Sequence, residues 1–148
     1  ELIKKLKNLN FIFTSASHDQ FGARINKILL KVSKKYKNCF FYHNLGGVKY
    51  LNAIKNSKFM IGNSSSGIIE SSFFSKPSIS ILPRQEGRQA NKNVFYVKKS
   101  KKEILKIIKR IKVKNYKITF NNNIFDMRKK IGSPSKYIYK KILKLKYD

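Results

Sequence analysis

Short apolar runs alternate with longer segments of helical periodicity along this 148-residue chain, a pattern typical of β-α-β units. The apolar runs are rich in β-branched and aromatic side chains, as strands require. We predict strands at 10–15, 38–42, 58–61, 78–82 and 93–97. Helices are predicted at 19–36, 48–57, 66–74, 101–112 and from Pro134 to about Lys146. These elements predict one Rossmann-like α/β domain with a parallel sheet flanked by helices.

Three of the predicted helices carry apolar residues at the spacing of one helix face. In the first these residues are Phe21, Ile25, Ile28, Leu29 and Val32. In the second, Tyr50, Leu51 and Ile54 are expected to point inward, and in the fourth the face consists of Ile104, Leu105, Ile107, Ile108 and Ile111. The stretch 114–132 is less regular and is predicted to be a loop or a covering segment. Ser133 and Pro134 then provide a helix cap and a first helical residue.

The composition indicates a globular protein of one domain, with 41% hydrophobic and 13% aromatic residues. No apolar run has the length needed to cross a bilayer, and the first residues lack the pattern of a signal peptide. The single cysteine, Cys39, has no partner for an internal disulfide and lies in a predicted strand, so we expect a cytoplasmic protein. Because the chain begins with Glu1 rather than methionine, we also expect a preceding N-terminal part.

The net charge of +27 first suggests a nucleic-acid-binding module. Lysine supplies all but five of the 34 basic residues, however, whereas base and phosphate recognition relies heavily on the planar fork of arginine. The lysines are also spread along the whole chain. A solvated lysine-rich surface is therefore favoured, and a nucleic-acid face is kept as the alternative.

The segment GNSSSGIIE, residues 62–70, lies where a predicted strand meets a predicted helix. In open parallel sheets, ligands bind at such carboxyl ends of strands, where helix-start amides attract anions. Ser64, Ser65 and Ser66 offer hydroxyl donors, and Gly67 keeps the first helical turn uncrowded. The alternative is that a serine only caps the helix, as serine often does.

An acid and two arginines follow this serine turn. Glu70 would lie in the first turn of the helix, where it either complements the helix dipole or accepts two ribose hydroxyls. Arg84 and Arg88 stand four residues apart in the loop RQEGR after the next strand, an arrangement suited to bidentate contact with an anion. Together these residues predict a site for a nucleoside diphosphate.

The motif GNSSSGIIE, a strand opened by KP, and the loop RQEGRQANKNV together resemble the C-terminal domain of the UDP-N-acetylglucosamine 2-epimerase family. The resemblance is closest to the hydrolysing branch of sialic acid synthesis, which releases N-acetylmannosamine and UDP. It implies the C-terminal half of a glycosyltransferase-B-type architecture, with residues 1–148 as the UDP-binding domain. The N-terminal domain, which carries the family's catalytic carboxylates, would be absent from this chain. We therefore expect the fragment alone to be inactive.

The resemblance also implies roles for single residues. Ser65 and Ser66, with the neighbouring Ser64 and Gly67, fall where the family binds the diphosphate, and Glu70 falls where it binds the ribose. Arg84, Gln85 and Arg88 fall on the loop that the hydrolysing branch places around its substrate, a UDP-sugar. His18 stands in a loop where the non-hydrolysing branch has a catalytic histidine, but a loop histidine without a special duty is favoured.

Several alternatives stay open. The chain could belong to a non-hydrolysing epimerase or to another glycosyltransferase-B-type enzyme, and the sugar could be N-acetylglucosamine or a modified relative such as a diacetamido sugar. The family implies a homo-oligomer. No spacing of histidine, cysteine or acidic residues predicts a metal site, and neither a cofactor nor a membrane partner is expected.

Overall fold

The computed structural model describes residues 2–16, 20–113 and 123–147. The chain forms two compact units, Glu1–Ala53 and Ile54–Asp148. In chain order the elements are α1 (Leu2–Lys5), β1 (Phe11–Thr14), α2 (Gln20–Lys35), β2 (Cys39–Tyr42), α3 (Gly46–Asn56), β3 (Met60–Gly62), α4 (Glu70–Phe73), β4 (Ser78–Ile81), β5 (Val94–Val97), α5 (Lys101–Val113), α6 (Arg128–Ile131) and α7 (Pro134–Tyr147). A 3₁₀ turn over Ser65–Gly67 lies between β3 and α4.

The first unit contains the parallel strands β1 and β2, with Phe11 opposite Cys39 and Thr14 opposite Tyr42. Exposure alternates along β1, because successive side chains of a strand point to opposite faces. The helix α2 packs against β2. Cys39 is buried, and this burial raises the pKa of its thiol.

The apolar face predicted for α2 is only partly covered. Leu29 and Val32 are half-buried, but Phe21 is 73% exposed, and Ile25 and Ile28 are exposed as well. Two strands of four residues offer a helix of 16 residues little apolar surface within this unit.

The inward face predicted for α3 is also incomplete. Ile54 is buried and Tyr50 is half-buried, as expected, whereas the expectation for Leu51 is wrong because its side chain is exposed. The helix begins at Gly46, which has a φ of +65°. Glycine adopts this left-handed conformation without the steric cost of a Cβ. The amide of Gly46 also donates to Oδ1 of Asn44 at 2.7 Å.

The second unit is a three-stranded parallel sheet in which β4 lies between β3 and β5. The side chain of Ile79, in the central strand, is completely buried. On α5, Ile104, Ile108 and Ile111 are buried at the spacing of one helix face, which confirms that part of the predicted face. The parallel α/β class predicted from the sequence is thus confirmed.

The C-terminal elements agree with the helix signals in the sequence. The carbonyl of Ser133 accepts a hydrogen bond from the amide of Tyr137 at 3.0 Å, which places Ser133 at the start of α7. The short helices α1 and α6 were not predicted, and positions 114–122 of the predicted loop lie outside the described residues. In the described part of the chain, no helix combines the length and the apolar character that crossing a membrane requires.

Candidate functional site at the carboxyl edge of the second sheet

The three strands of the second unit end at one edge of their sheet, since all pairs are parallel. β3 ends at Gly62 before the serine turn, β4 ends at Ile81 before Arg84, and β5 ends at Val97. A cleft of about 310 Å³ lies at this edge. It is lined by Gly62, Asn63, Ile81, Leu82, Pro83, Arg84 and Lys99. This is the edge where open α/β sheets bind their ligands.

The serine turn begins with a capping residue. Ser64 has extended backbone angles (φ −81°, ψ 148°), and its Oγ accepts a hydrogen bond from the amide of Ser66 at 3.3 Å. Ser64 therefore caps the turn, and its hydroxyl proton is still able to donate elsewhere. Ser65 is half-buried, and its carbonyl accepts from the amides of Ile68 and Ile69, each at 2.9 Å.

Gly67 is buried against the central strand of the sheet. A Cβ added to it would lie 2.7 Å from Oγ of Ser78, at the start of β4. The serine turn thus approaches the sheet at a distance that only glycine allows with Ser78 in its present rotamer. Gly67 contributes this close packing, while its amide is bonded to the carbonyl of Ser64 at 3.1 Å.

The continuous helix predicted at 66–74 is wrong. The chain forms a 3₁₀ turn and then the four-residue helix α4, and serine hydroxyls bond to main-chain carbonyls at the junction. Ser71 Oγ donates to the carbonyl of Gly67 at 2.8 Å, and Ser72 Oγ lies 2.6 Å from the carbonyl of Ile68. Such bonds to the residue four positions earlier compete with regular helix geometry.

Glu70 lies in the first turn of α4, as predicted from the sequence. Its Oε2 is buried, and among the described residues no donor reaches it. A buried carboxylate oxygen without a donor is costly. Oε2 is therefore a hydrogen-bond acceptor that no described residue satisfies.

Gln85 links the serine turn to the RQEGR loop, the two segments that the sequence predicts to form the site. Its side chain is only 5% exposed, and its Nε2 donates to the main-chain carbonyl of Asn63 at 2.9 Å. Within the described part of the chain, its Oε1 is buried without a partner. The hydrogen bond fixes the start of the RQEGR loop beside the serine turn, and Oε1 is a second buried acceptor without a donor among the described residues.

The two arginines of the loop are differently placed. Both are exposed, and Arg84 lines the cleft. Arg88 follows Gly87, which has a φ of +74°, and its carbonyl accepts from the hydroxyl of Tyr96 at 3.0 Å. The backbone of Arg88 is thereby attached to β5, while its guanidinium makes no ion pair with any described residue.

Lys99 is a cleft residue that the sequence interpretation missed. It follows the end of β5 and lines the cleft with Arg84, and neither side chain forms an ion pair within the described ranges. Its place after a predicted strand was the available signal. In so lysine-rich a chain, however, a single lysine carries little information. The cleft therefore presents two cations beside the serine turn.

The remaining candidate, His18, lies outside the described residues, as do its neighbours Ser17 and Asp19. In the first unit, Ser15 and His43 follow the ends of β1 and β2, and Ser15 Oγ lies 3.3 Å from Nδ1 of His43. Over the described ranges, no group of three or more potential metal ligands occurs among histidine, cysteine and acidic residues.

The fold and the edge just described define a Rossmann-like α/β protein with a candidate anion site at the carboxyl ends of its strands. A family model described as UDP-N-acetylglucosamine 2-epimerase matches residues 1–130. The chain therefore belongs to the UDP-N-acetylglucosamine 2-epimerase family, which confirms the resemblance noted in the sequence.

Two relatives show how much of a longer protein is matched. The chain is 47% identical over 98 residues to the GDP/UDP-N,N'-diacetylbacillosamine 2-epimerase (hydrolyzing) of Campylobacter jejuni, covering 64% of this chain and 26% of that protein. It is 37% identical over 59 residues to the UDP-N-acetylglucosamine 2-epimerase of Neisseria meningitidis serogroup B, covering 40% of this chain and 16% of that protein. The chain thus spans about a quarter or less of the relatives it matches.

Proposed function

We propose that this chain is the UDP-binding, C-terminal domain of a hydrolysing UDP-N-acetylglucosamine 2-epimerase. The enzyme would convert a UDP-2-acetamido sugar to the free 2-epimer and UDP, for nonulosonic (sialic) acid or surface-polysaccharide synthesis. The proposal includes the cytoplasmic location, the N-terminal domain and the homo-oligomer expected from the sequence. The name of the relative with 47% identity supports the hydrolysing reaction and makes the UDP form of N,N'-diacetylbacillosamine the first substrate to test.

The observation that carries the proposal is the cleft at the strand edge. Arg84 and Lys99 line it without ion-pair partners among the described residues, and Asn63 joins it to the serine turn. Cations stabilise phosphate oxygens, and the hydroxyl of Ser64 is still able to donate a hydrogen bond to one. The unpaired Oε2 of Glu70 adds the acceptor that a ribose needs. A nucleoside diphosphate matches this set because it combines an anion with neighbouring hydroxyl donors.

The proposed reaction assigns this domain a share in catalysis as well as in binding. Loss of the proton at carbon 2 and departure of UDP from carbon 1 would give a glycal-like intermediate. Addition of water to that intermediate, with inversion at carbon 2, would give the free sugar. Negative charge grows on the departing diphosphate, so Arg84 and Lys99 would stabilise the transition state more than the bound substrate. The general acids and bases at the sugar would come from the N-terminal domain.

A UDP titration of the 148-residue chain tests the binding site. Replacing Glu70→Ala should weaken UDP about 10- to 100-fold, the range for one or two lost hydrogen bonds to a charged group. Glu86→Ala is the matched control, since it removes the same charge from an exposed position between the two loop arginines. It should leave the affinity within about twofold. Equal affinities of the Glu70→Ala variant and the wild type would exclude the assigned ribose contact.

The reaction is tested in a protein that carries this chain together with an N-terminal domain. Free 2-epimer plus UDP among the products supports the hydrolysing enzyme, whereas a UDP-linked 2-epimer identifies the non-hydrolysing alternative. UDP-N,N'-diacetylbacillosamine and UDP-N-acetylglucosamine should be compared at equal concentrations. The isolated chain should bind UDP but give no turnover, and measurable turnover would contradict the assignment of the catalytic groups to the other domain.

A further inference from the structure

The helix that carries Glu70 is too short to be stable without contacts to the rest of the domain. α4 has four residues, and no side chain caps its N-terminus at Ile69. A helix of one turn is unstable on its own, because nucleation fixes several residues for one hydrogen bond. The direction of the Glu70 carboxylate must therefore be set by contacts outside the helix.

Asn93 supplies these contacts from the residue that precedes β5. Its side chain is completely buried just before β5, and its Nδ2 donates to Ser71 Oγ and to the carbonyl of Lys76, both at 2.8 Å. Its Oδ1 lies 3.0 Å from Ser72 Oγ. All the polar atoms of one amide thus contact α4 or Lys76, which lies three residues beyond its end.

The same network continues to the sheet and to the serine turn. The main-chain carbonyl of Asn93 accepts from the amide of Ser78 at 2.8 Å, which ties it to the central strand. Ser71 Oγ accepts a hydrogen bond from Asn93 Nδ2 and donates one to the carbonyl of Gly67. The hydroxyl proton of Ser72 is shared between the carbonyl of Ile68 and Oδ1 of Asn93. Buried polar groups that are fully paired fix one geometry, since any displacement leaves some of them unpaired.

We propose that Asn93 is a positioning residue that orients Glu70 toward the ribose of the bound nucleotide. It touches no ligand itself and acts through α4. This inference rests on the proposed function, since it assigns Asn93 to the same UDP site. Loss of the Asn93 contacts should weaken UDP about 10-fold and reduce the preference for UDP over 2′,3′-dideoxy-UDP, the two ligands that differ only in the hydroxyls assigned to Glu70.

The experiment compares Asn93→Asp and Ser71→Ala with Ile108→Ala. Asn93→Asp keeps the shape and removes both amide donors. Ser71→Ala breaks one link of the network with an alanine, which favours a helix, so it serves if the aspartate variant fails to fold. Ile108 is a buried core residue on α5, and its truncation destabilises the domain without touching the network.

Two measurements decide the result. Amide hydrogen exchange at Ser72 and Lys76 should accelerate selectively in the network variants, and the ratio of UDP to dideoxy-UDP affinity should fall toward that of Glu70→Ala. In Ile108→Ala the exchange should rise throughout the domain while the ratio stays at its wild-type value. A wild-type ratio, or unchanged local exchange, in the network variants overturns the inference. If the wild-type chain fails to bind UDP, the proposed function fails and the exchange data alone decide whether Asn93 fixes α4.

Discussion

Substitution of Gly67 by alanine tests the contact between the serine turn and the sheet. The added Cβ would lie 2.7 Å from Ser78 Oγ, about 0.7 Å inside an ordinary contact, while the next nearest atom, Ser78 Cβ, lies at 4.0 Å. The obstacle is therefore a single hydroxyl. Forcing it into another rotamer, or displacing the turn, should cost about 1–3 kcal/mol, the range for overpacking a core.

The same geometry predicts that a second substitution, Ser78→Ala, relieves the cost of Gly67→Ala. Ser78→Ala removes the hydroxyl and leaves only the Cβ at 4.0 Å, so Gly67→Ala should cost less than about 0.5 kcal/mol in that background. Gly62→Ala is the matched control, because nothing lies within 4 Å of its added Cβ. It should change the free energy of unfolding by less than about 0.5 kcal/mol.

Urea unfolding followed by circular dichroism measures these differences. With a slope of about 2 kcal/mol per molar urea, a loss of about 2 kcal/mol lowers the midpoint by about 1 M. The reasoning is refuted if Gly67→Ala is as stable as the wild type, or if its cost is the same with and without the Ser78 hydroxyl.

Three further predictions concern the cleft, a helix end and the buried thiol. Lys99→Ala should weaken UDP about 3- to 10-fold at low salt in calorimetric titrations, whereas Lys102→Ala, on exposed α5 surface, should not. Ser75 has a left-handed φ of 51° after α4, so Ser75→Gly should raise the free energy of unfolding by about 0.5–1 kcal/mol in urea. The raised pKa of Cys39 means that the folded state keeps a proton that the unfolded state loses, so stability falls as pH rises above about 8.5. The fall between pH 8 and 10 should be shallower in Cys39→Ala, and equal slopes would contradict it.

The parallel strands and α5 were predictable because their signals are local and repeated. Ile104, Ile108 and Ile111 recur at the helical period, and burying them requires only a neighbouring sheet. The same periodicity in α2 predicted a helix correctly but not its burial. Exposure of Phe21 depends on how much surface the partner strands offer, and periodicity contains no such information.

The positions of several candidate site residues were predictable from the sequence, but the hydrogen bonds between them were not. Ser64 and Arg84 follow strand ends, where a general rule places ligands, and Glu70 begins the helix after one of them. The break between the 3₁₀ turn and α4, however, coincides with hydroxyl bonds of Ser71 and Ser72, and their bonds to Asn93 form only in the folded chain. Asn93 contacts residues 17 to 22 positions away, so no local pattern could reveal it.

The direction in which removing the charge of Glu70 changes ligand affinity separates the proposed function from the nucleic-acid alternative. With a net charge of +27, the chain attracts any polyanion, so binding of UDP or of DNA alone would not discriminate. Glu70 is a negative charge that repels phosphates, and its removal should strengthen or leave unchanged any binding that rests on charge. If its carboxylate accepts ribose hydroxyls, the same removal weakens UDP. Opposite changes of the UDP affinity and the DNA affinity in Glu70→Ala, measured at two salt concentrations, would therefore establish a specific UDP site within a generally basic surface. Parallel changes would show that both ligands bind through charge alone.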